Sequence, residues 1–173
     1  DNDNQLLGKQ ATEFLIQNGH QNILFVTNTT HESLYFERYF GYQKALMLNQ
    51  FPTFPSVVLE KPEDYLTFND TLAKTNATAL VVIDDIFALR TMQLAEMYGY
   101  SIPDDLSVVS FNNSIFSTLT HPYLTSIDID ISELGRMAMQ KLREIIHDEL
   151  SSGVRMVIPH KLIKRETVIP LAE

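Results

Sequence analysis

The sequence predicts an α/β fold, in which a parallel sheet carries helices on both faces. Residues 79–83 and 106–111 are short runs of β-branched and apolar residues, as the buried strands of a parallel sheet are. The segment between them repeats apolar residues at three- and four-residue steps, and Gly99 and Pro103 close it as a helix. Strand–helix–strand units of this kind are almost always right-handed and parallel.

The same alternation of helix and strand runs through the preceding part of the chain. Helices are predicted at 6–18, 33–49 and 65–74, and strands at 23–26 and 56–59. The first helix has an apolar stripe, and Gly19 is placed to end it in a left-handed turn. This alternation is typical of a sheet with helices on both faces.

After residue 113 the pattern changes. Residues 124–131 alternate polar and apolar positions, which predicts a half-buried or edge strand. Residues 133–150 form an amphipathic helix that Ser132 can cap, and 156–159 and 162–167 resemble short strands. We expect the apolar stripe of this helix to pack against a second copy of the chain or back onto its own domain.

Composition limits the class of protein. The 173 residues are 45% apolar and 20% charged, as in a soluble globular protein. The chain has no cysteine, so it has no disulfide scaffold, and we expect a cytoplasmic location. No apolar run approaches the roughly 18 residues of a membrane helix. A net charge of −9 argues against direct binding of nucleic acid by this polypeptide. Because the chain starts without methionine, we expect it to begin inside a longer protein.

Polar side chains follow both strands of the central unit. Asp84 and Asp85 come after the first strand, and Asn112 and Asn113 after the second. Ligands in parallel α/β sheets bind beyond these carboxyl ends. We assign Asp84 to ligand contact and Asp85 to capping the next helix. Asn113 is assigned mainly to a turn, whereas Asn112 fits ligand contact and turn chemistry equally well.

The sequence lacks the common motifs of metal sites, nucleotide binding and serine hydrolases. We find no HxxxH or HExxH pair and no GxGxxG, GxxxxGK or GxSxG motif, so no metal site, cofactor or enzymatic activity is expected. One alternative remains, because the adjacent carboxylates of Asp84 and Asp85 could bind Mg²⁺ in a receiver-like or magnesium-dependent phosphotransfer domain. A receiver would need a further aspartate and a lysine in register, and neither is found.

Seven short motifs, in order, resemble the LacI/GalR family of bacterial transcription regulators. They are DNDNxxxG, NGHQNILFV, ERYFGYQKAL, ALVVIDDIFA, GYSIPDDLSVVSFNNS, HPYLTSIDID and PHKLIKRET. Within the family, the FNNS and IDID details most resemble the maltose-operon repressor branch.

The resemblance implies a type I periplasmic-binding-protein-like fold, in which two Rossmann-like subdomains clamp a small effector. Residues 1–122 and 154–173 are then expected to belong to the C-terminal subdomain, and 123–153 to supply a strand and a helix to the N-terminal subdomain. The operator-reading helix-turn-helix domain of the family is absent from this chain. The resemblance also implies a homodimer and no association with membranes.

The same resemblance implies three ligand-binding residues. Arg38 matches a family arginine whose guanidinium donates to ligand hydroxyls, although a surface salt bridge is its alternative role. Asp84 stands where the family often has Asn, and Asn112 where many relatives have Asp, so the acid and the amide are exchanged. Glu60 and Lys61 lie where many relatives have an aromatic ring that stacks on the ligand.

The sequence thus predicts a sugar-binding effector domain that performs no chemical step, with maltose or a maltodextrin as the effector. A sugar that prefers one arrangement of the subdomains would shift their equilibrium. A stand-alone sugar-binding protein is a further alternative.

Overall fold

A single six-stranded sheet organises the computed structural model, which describes residues 2–119, 121–147 and 156–171. Its strands, in chain order, are β1 Ile23–Thr27, β2 Val57–Val58, β3 Ala79–Val82, β4 Ser107–Phe111, β5 Thr125–Asp128 and β6 Lys161–Ile163. Their spatial order is β2-β1-β3-β4-β5-β6. The first five are parallel, and β6 is antiparallel to β5. The predicted α/β class with a mainly parallel sheet is confirmed.

Five α-helices are found in the described residues. They are α1 Asn4–Gln17, α2 Ser33–Leu48, α3 Pro62–Thr75, α4 Asp85–Met97 and α5 Ile131–Ile146. Every residue of β1, β3 and β4 is buried, so both faces of the sheet are covered at its centre. This double burial explains the mainly apolar runs from which these strands were predicted.

Two glycines allow α1 and α2 to pack backbone against backbone. A Cβ added to Gly8 would lie 2.0 Å from the carbonyl oxygen of Arg38, and one added to Gly41 would lie 2.0 Å from that of Gln5. No side chain larger than hydrogen fits at either contact. The close approach brings the second turn of α2 beside the start of α1.

β5 differs from its predicted character as a half-buried or edge strand. It lies between β4 and β6, and its first three residues are buried. Thr125 and Ser126 are buried, and both hydroxyls have partners: Thr125 Oγ1 accepts from Arg165 N over 3.0 Å, and Ser126 Oγ donates to Asp85 Oδ1 over 2.6 Å. The strand that was expected to belong to another subdomain is therefore part of this sheet.

The chain after β5 also departs from prediction. Asp130, not Ser132, caps α5, and its Oδ1 accepts from Glu133 N over 2.9 Å. None of the described residues of α5 is buried, so its apolar stripe does not pack onto its own domain. Residues 148–150 of the predicted helix lie outside the described residues. Residues 156–159 are not a strand, and β6 is shorter than predicted.

Candidate functional site

The side chain of Arg38 reaches from the second turn of α2 to the carboxyl ends of two strands. It is only 2% exposed. Nη1 donates to the carbonyl oxygen of Ile83 over 2.6 Å, Nη2 donates to Asn112 Oδ1 over 3.2 Å, and Nε donates to Asn4 Oδ1 over 3.2 Å. The guanidinium carbon lies 4.4 Å from the ring centre of Phe111. One arginine thus joins α1, α2, β3 and β4.

The charge of Arg38 is balanced by neighbouring carboxylates. Burial lowers the pKa of Arg38 to about 10, and the negative charges of Asp84 and Asp85 oppose that shift. The guanidinium therefore remains protonated at neutral pH. Burying a cation without partners would be costly, and the three hydrogen bonds together with the two carboxylates offset that cost.

Asp84 caps α4, so the prediction that Asp85 caps it is wrong. Asp84 has an extended backbone, and its Oδ1 accepts from Phe87 N over 2.7 Å. The helix begins at Asp85, one residue earlier than the capping assignment requires. Two adjacent aspartates offer the same chemistry, and only the point at which the backbone becomes helical decides which of them is the cap.

Asp85 has a different role, at the centre of a buried hydroxyl cluster. The residue is 1% exposed. Its Oδ1 accepts from Ser110 Oγ over 2.5 Å and from Ser126 Oγ over 2.6 Å. Its Oδ2 accepts from Ser114 N over 2.6 Å and from Ser114 Oγ over 2.8 Å. This carboxylate ties α4 to β4, to β5 and to the loop after β4, and its capacity as an acceptor is used within the protein.

Both asparagines after β4 adopt positive φ, 96° at Asn112 and 45° at Asn113. Asn113 connects the loop to its surroundings: its Oδ1 accepts from Arg165 Nη2 over 2.6 Å, and its Nδ2 donates to Asp128 Oδ2 over 3.1 Å. Asn112 donates its backbone N–H to the carbonyl oxygen of Ile127 over 2.8 Å and accepts from Arg38. Asn tolerates this left-handed backbone better than most residues.

Two polar atoms at this edge are available to a ligand. Among the described residues, no hydrogen-bond partner reaches Asp84 Oδ2 or Asn112 Nδ2. Both residues are half-buried and follow the adjacent strands β3 and β4. The carboxylate oxygen accepts a hydrogen bond and the amide donates one, which suits a hydroxyl-bearing molecule. The structure thus brings Arg38, Asp84 and Asn112 to one edge of the sheet, with Arg38 beneath the other two.

Sequence reasoning missed several members of this network. Phe111, beneath the guanidinium of Arg38, was interpreted only as part of a strand, and Asn4 only as part of a motif. Ser110 and Ser126 carried a usable signal, since hydroxyl residues inside otherwise buried strands need partners. Their shared partner, Asp85, is visible only in three dimensions.

Glu60 and Lys61, which follow β2, are exposed and provide no aromatic ring. The backbone N–H groups of Glu60 and Lys61 donate to Asp64 Oδ2 over 3.0 and 2.8 Å. The Asp64 carboxylate thereby orders the start of α3. A ligand at this edge would meet charged side chains here and not an aromatic plane.

A largely apolar hollow lies elsewhere on the described surface. It is a groove of about 430 Å³ between α3 and α4, with walls that include Leu59, Tyr65, Phe87 and Leu94. None of the predicted ligand-binding residues lines it.

Within residues 2–119, 121–147 and 156–171, no three His, Cys, Asp or Glu residues come together in a way that could hold a metal ion. No helix in that described part of the chain has both the length and the apolar character needed to cross a bilayer.

Residues 12–168 match the family of periplasmic-binding-protein-like domains, and the chain belongs to that family. Its relatives include transcription regulators of the LacI type. Catabolite control protein A of Priestia megaterium is 29% identical over 163 residues, which are 91% of this chain and 49% of the relative. The HTH-type transcriptional repressor PurR of Histophilus somni is 30% identical over 166 residues, 93% of this chain and 50% of the relative. The chain thus spans about half the length of these curated relatives.

Solved structures show the same fold. A putative transcriptional regulator LacI from Bacillus cereus superposes with a TM-score of 0.85 at 29% identity, covering 99% of this chain and 63% of that one. A complex of the transcriptional regulator CelR with cellobiose gives 0.84 at 24% identity, with 97% and 53% coverage, and shows the fold alone.

Proposed function

We propose that this chain is the effector-binding part of a LacI-type transcriptional repressor and that its effector is a sugar. The observation that carries the proposal is the pair of free polar atoms, Asp84 Oδ2 and Asn112 Nδ2, next to the Arg38–Asn112 contact at the carboxyl edge of a parallel sheet. Ligands of parallel α/β sheets bind at this edge. Curated relatives are named as transcription regulators, and one protein of the same fold was solved with cellobiose.

The proposed mechanism is regulatory and contains no chemical step. Sugar hydroxyls donate to Asp84 and accept from Asn112, while Arg38 holds Asn112 in place. A sugar that binds one arrangement of two subdomains more tightly shifts their equilibrium by its difference in affinity. An N-terminal helix-turn-helix domain outside this chain then reads operator DNA in one arrangement only.

The proposed subdomain division takes account of the position of β5. Residues 1–122 and 154–173 form the C-terminal subdomain, as the family resemblance implies, and β5 stays with them because it pairs with β4 and β6. α5 is the contribution to the N-terminal subdomain, since none of its described residues is buried against this sheet. We further propose a homodimer in the cytoplasm, with maltose or a maltodextrin as effector.

The geometry does not favour phosphotransfer. Asp85 accepts four hydrogen bonds and is 1% exposed, and one oxygen of Asp84 caps α4. Asp85 is therefore closed to Mg²⁺, and Asp84 offers only its Oδ2. In the described residues no three His, Cys, Asp or Glu side chains come together to hold a metal ion, whereas Mg²⁺ demands near-octahedral oxygen coordination. Incubation with Mg²⁺ and acetyl phosphate checks this: covalent labelling of Asp84 or Asp85 would overturn the proposed function.

Titration calorimetry of the protein at its natural length, with maltose and related sugars, tests the proposal. We expect saturable heat with one sugar and altered operator affinity in its presence. A stand-alone sugar-binding protein would give the heat without operator binding. Asn112→Asp removes the free amide donor, keeps the acceptor for Arg38 and should weaken sugar binding about tenfold or more. The control Asn69→Asp, on α3, should leave affinity unchanged. No heat with any sugar or sugar phosphate would contradict the proposal.

A further inference from the structure

We infer that the wall of the site formed by Asp84 and Asn112 accepts an uncharged saccharide and discriminates against sugar phosphates. Asp84 is the residue that sets this preference. The inference deepens the proposed function and rests on it. Four features of the described residues support it: the engaged state of two arginines, the capped start of α4, the free carboxylate oxygen of Asp84 and the charge balance of the surrounding edge.

Arg38 does not present a fork to an anion. A phosphate is typically held by two parallel N–H donors of one guanidinium. Here each of the three nitrogens of Arg38 already donates to an oxygen, from Asn4, Ile83 or Asn112, and Phe111 covers one face. With 2% exposure, the guanidinium supports the wall from behind and does not line it.

Arg165, the second arginine near this edge, is engaged in the same way. Its Nη1 donates to the carbonyl oxygen of Leu124 over 2.7 Å, and its Nη2 donates to Asn113 Oδ1 over 2.6 Å. The amide of Asn113 also bonds the carboxylate of Asp128. The loop after β4 and the residue directly before β5 therefore hold this guanidinium.

The start of α4 is closed to a phosphate by the protein itself. Free N–H groups at a helix start commonly bind phosphate groups. In this chain Asp84 Oδ1 accepts from Phe87 N over 2.7 Å, and Asp85 occupies the first turn. The carboxylate of Asp84 thus satisfies one N–H group of the helix start and places a negative charge where an anion would bind.

The remaining oxygen of Asp84 suits a hydroxyl and repels a phosphate. It is an acceptor at a half-buried position, where a second negative charge is screened less than in water. With the buried carboxylate of Asp85 and the half-buried one of Asp128, this edge has three carboxylates against the two guanidinium groups of Arg38 and Arg165, so one negative charge is left unbalanced. A neutral sugar donates a hydroxyl hydrogen to the same oxygen without that penalty.

The exposed residues after β2 do not reverse this charge balance. Lys61, an exposed cation after β2, lies between the exposed residues Glu60 and Glu63 in the sequence. A cation between two carboxylates in solvent offers an anion little net attraction.

Calorimetry on the natural-length protein with matched pairs of ligands tests the inference. The pairs are glucose with glucose 6-phosphate and trehalose with trehalose 6-phosphate, with maltose and inorganic phosphate as further probes. We expect the wild type to bind the neutral member of a pair at least about tenfold more tightly. Asp84→Asn keeps a good helix cap but removes the charge. It should reduce the ratio of the affinity for the neutral sugar to the affinity for its phosphate by a factor on the order of ten. The control Asp70→Asn, at an exposed position of α3, should leave the ratio unchanged.

The outcomes separate the inference from the proposed function. A phosphorylated sugar that binds as tightly as its neutral partner, or a ratio that Asp84→Asn does not change, would overturn the inference and leave effector binding intact. Heat with inorganic phosphate alone would overturn the inference too, since it would reveal an anion site. Absence of heat with every carbohydrate would overturn both.

Discussion

Arg38 Nη2 donates to Asn112 Oδ1 over 3.2 Å and joins two residues that lie 74 positions apart in the chain. The contact holds the start of α2 against the end of β4 and fixes the orientation of the Asn112 amide, whose Nδ2 is then left for a ligand. Arg38 and Asn112 therefore act as one unit, and a change at either residue is expected to affect both stability and binding.

Loss of the Arg38 guanidinium should destabilise the fold. Arg38→Met leaves the oxygens of Asn4, Ile83 and Asn112 without their donor, and each unsatisfied buried group costs about 1–3 kcal/mol. We expect the free energy of unfolding in urea to fall by about 3 kcal/mol or more. The exposed control Arg90→Met should change it by no more than about 0.5 kcal/mol. Equal effects of the two substitutions would show that the Arg38 network contributes no stability.

The adjacent aspartates should respond differently to the same substitution. Both carboxylate oxygens of Asp85 accept hydrogen bonds, and Asp85→Asn replaces one of them with an NH₂ group that cannot accept. We therefore expect a loss of about 2–3 kcal/mol in the free energy of unfolding. Asp84→Asn preserves the cap and should cost no more than about 0.5 kcal/mol. Chemical denaturation of both variants measures these two losses in the free energy of unfolding. A larger loss at Asp84 would contradict the assigned roles.

A methyl group at Gly8 should separate α1 from α2. Because its Cβ would lie 2.0 Å from the backbone oxygen of Arg38, the helices must move apart, and we expect Gly8→Ala to lower the free energy of unfolding by about 3 kcal/mol. The matched control is Gly135→Ala in α5, where nothing lies within 4 Å of the added Cβ. That change should be neutral or should stabilise the helix by about 0.5–1 kcal/mol. A Gly8→Ala variant as stable as the wild type would refute the packing described for the two helices.

Stability should fall in mild acid because of His20. Its Nδ1 lies 3.0 Å from Thr78 Oγ1 and its Nε2 lies 3.1 Å from the carbonyl oxygen of Ile169, and burial lowers its pKa below 6.5. The unfolded chain then binds the proton first, so stability is present above the unfolded pKa and is lost as the pH falls below it. Burial also lowers the pKa of His160, although the charge of Asp3 opposes that shift.

We expect a measurable decrease in the free energy of unfolding between about pH 7.5 and about pH 5.5. Urea denaturation at the two pH values measures it. His20→Asn should reduce the pH dependence, and the double variant with His160→Asn should reduce it further. If His20→Asn retained the full dependence of the wild type, the assignment to this ring would be wrong.

The sheet was predictable from sequence wherever burial is complete. β1, β3 and β4 are mainly apolar because both of their faces are covered, and the helices between them keep a helical periodicity. β5 was misjudged because Ser126 and Asp128 alternate with apolar residues, as the solvent-facing positions of a strand do. Thr125 and Ser126, on opposite faces of the strand, are both buried. Their hydroxyls are in fact satisfied by Arg165 and Asp85, which lie 40 and 41 residues away.

The composition of the site was predictable and its internal organisation was not. Asp84 and Asn112 follow from the rule that ligands meet the carboxyl ends of parallel strands. The place of Arg38 came from the family resemblance, while its burial over Phe111 depends on two helices touching at Gly8 and Gly41. Contacts of that kind join distant parts of the chain and leave no periodic signal.

A crystal structure of the natural-length protein with its bound saccharide is the most direct test of the central claim. The account predicts sugar hydroxyls within about 3.2 Å of Asp84 Oδ2 and of Asn112 Nδ2, with Arg38 still bonded to Asn112. A saccharide in the groove between α3 and α4, with both of those atoms in contact only with water, would contradict it.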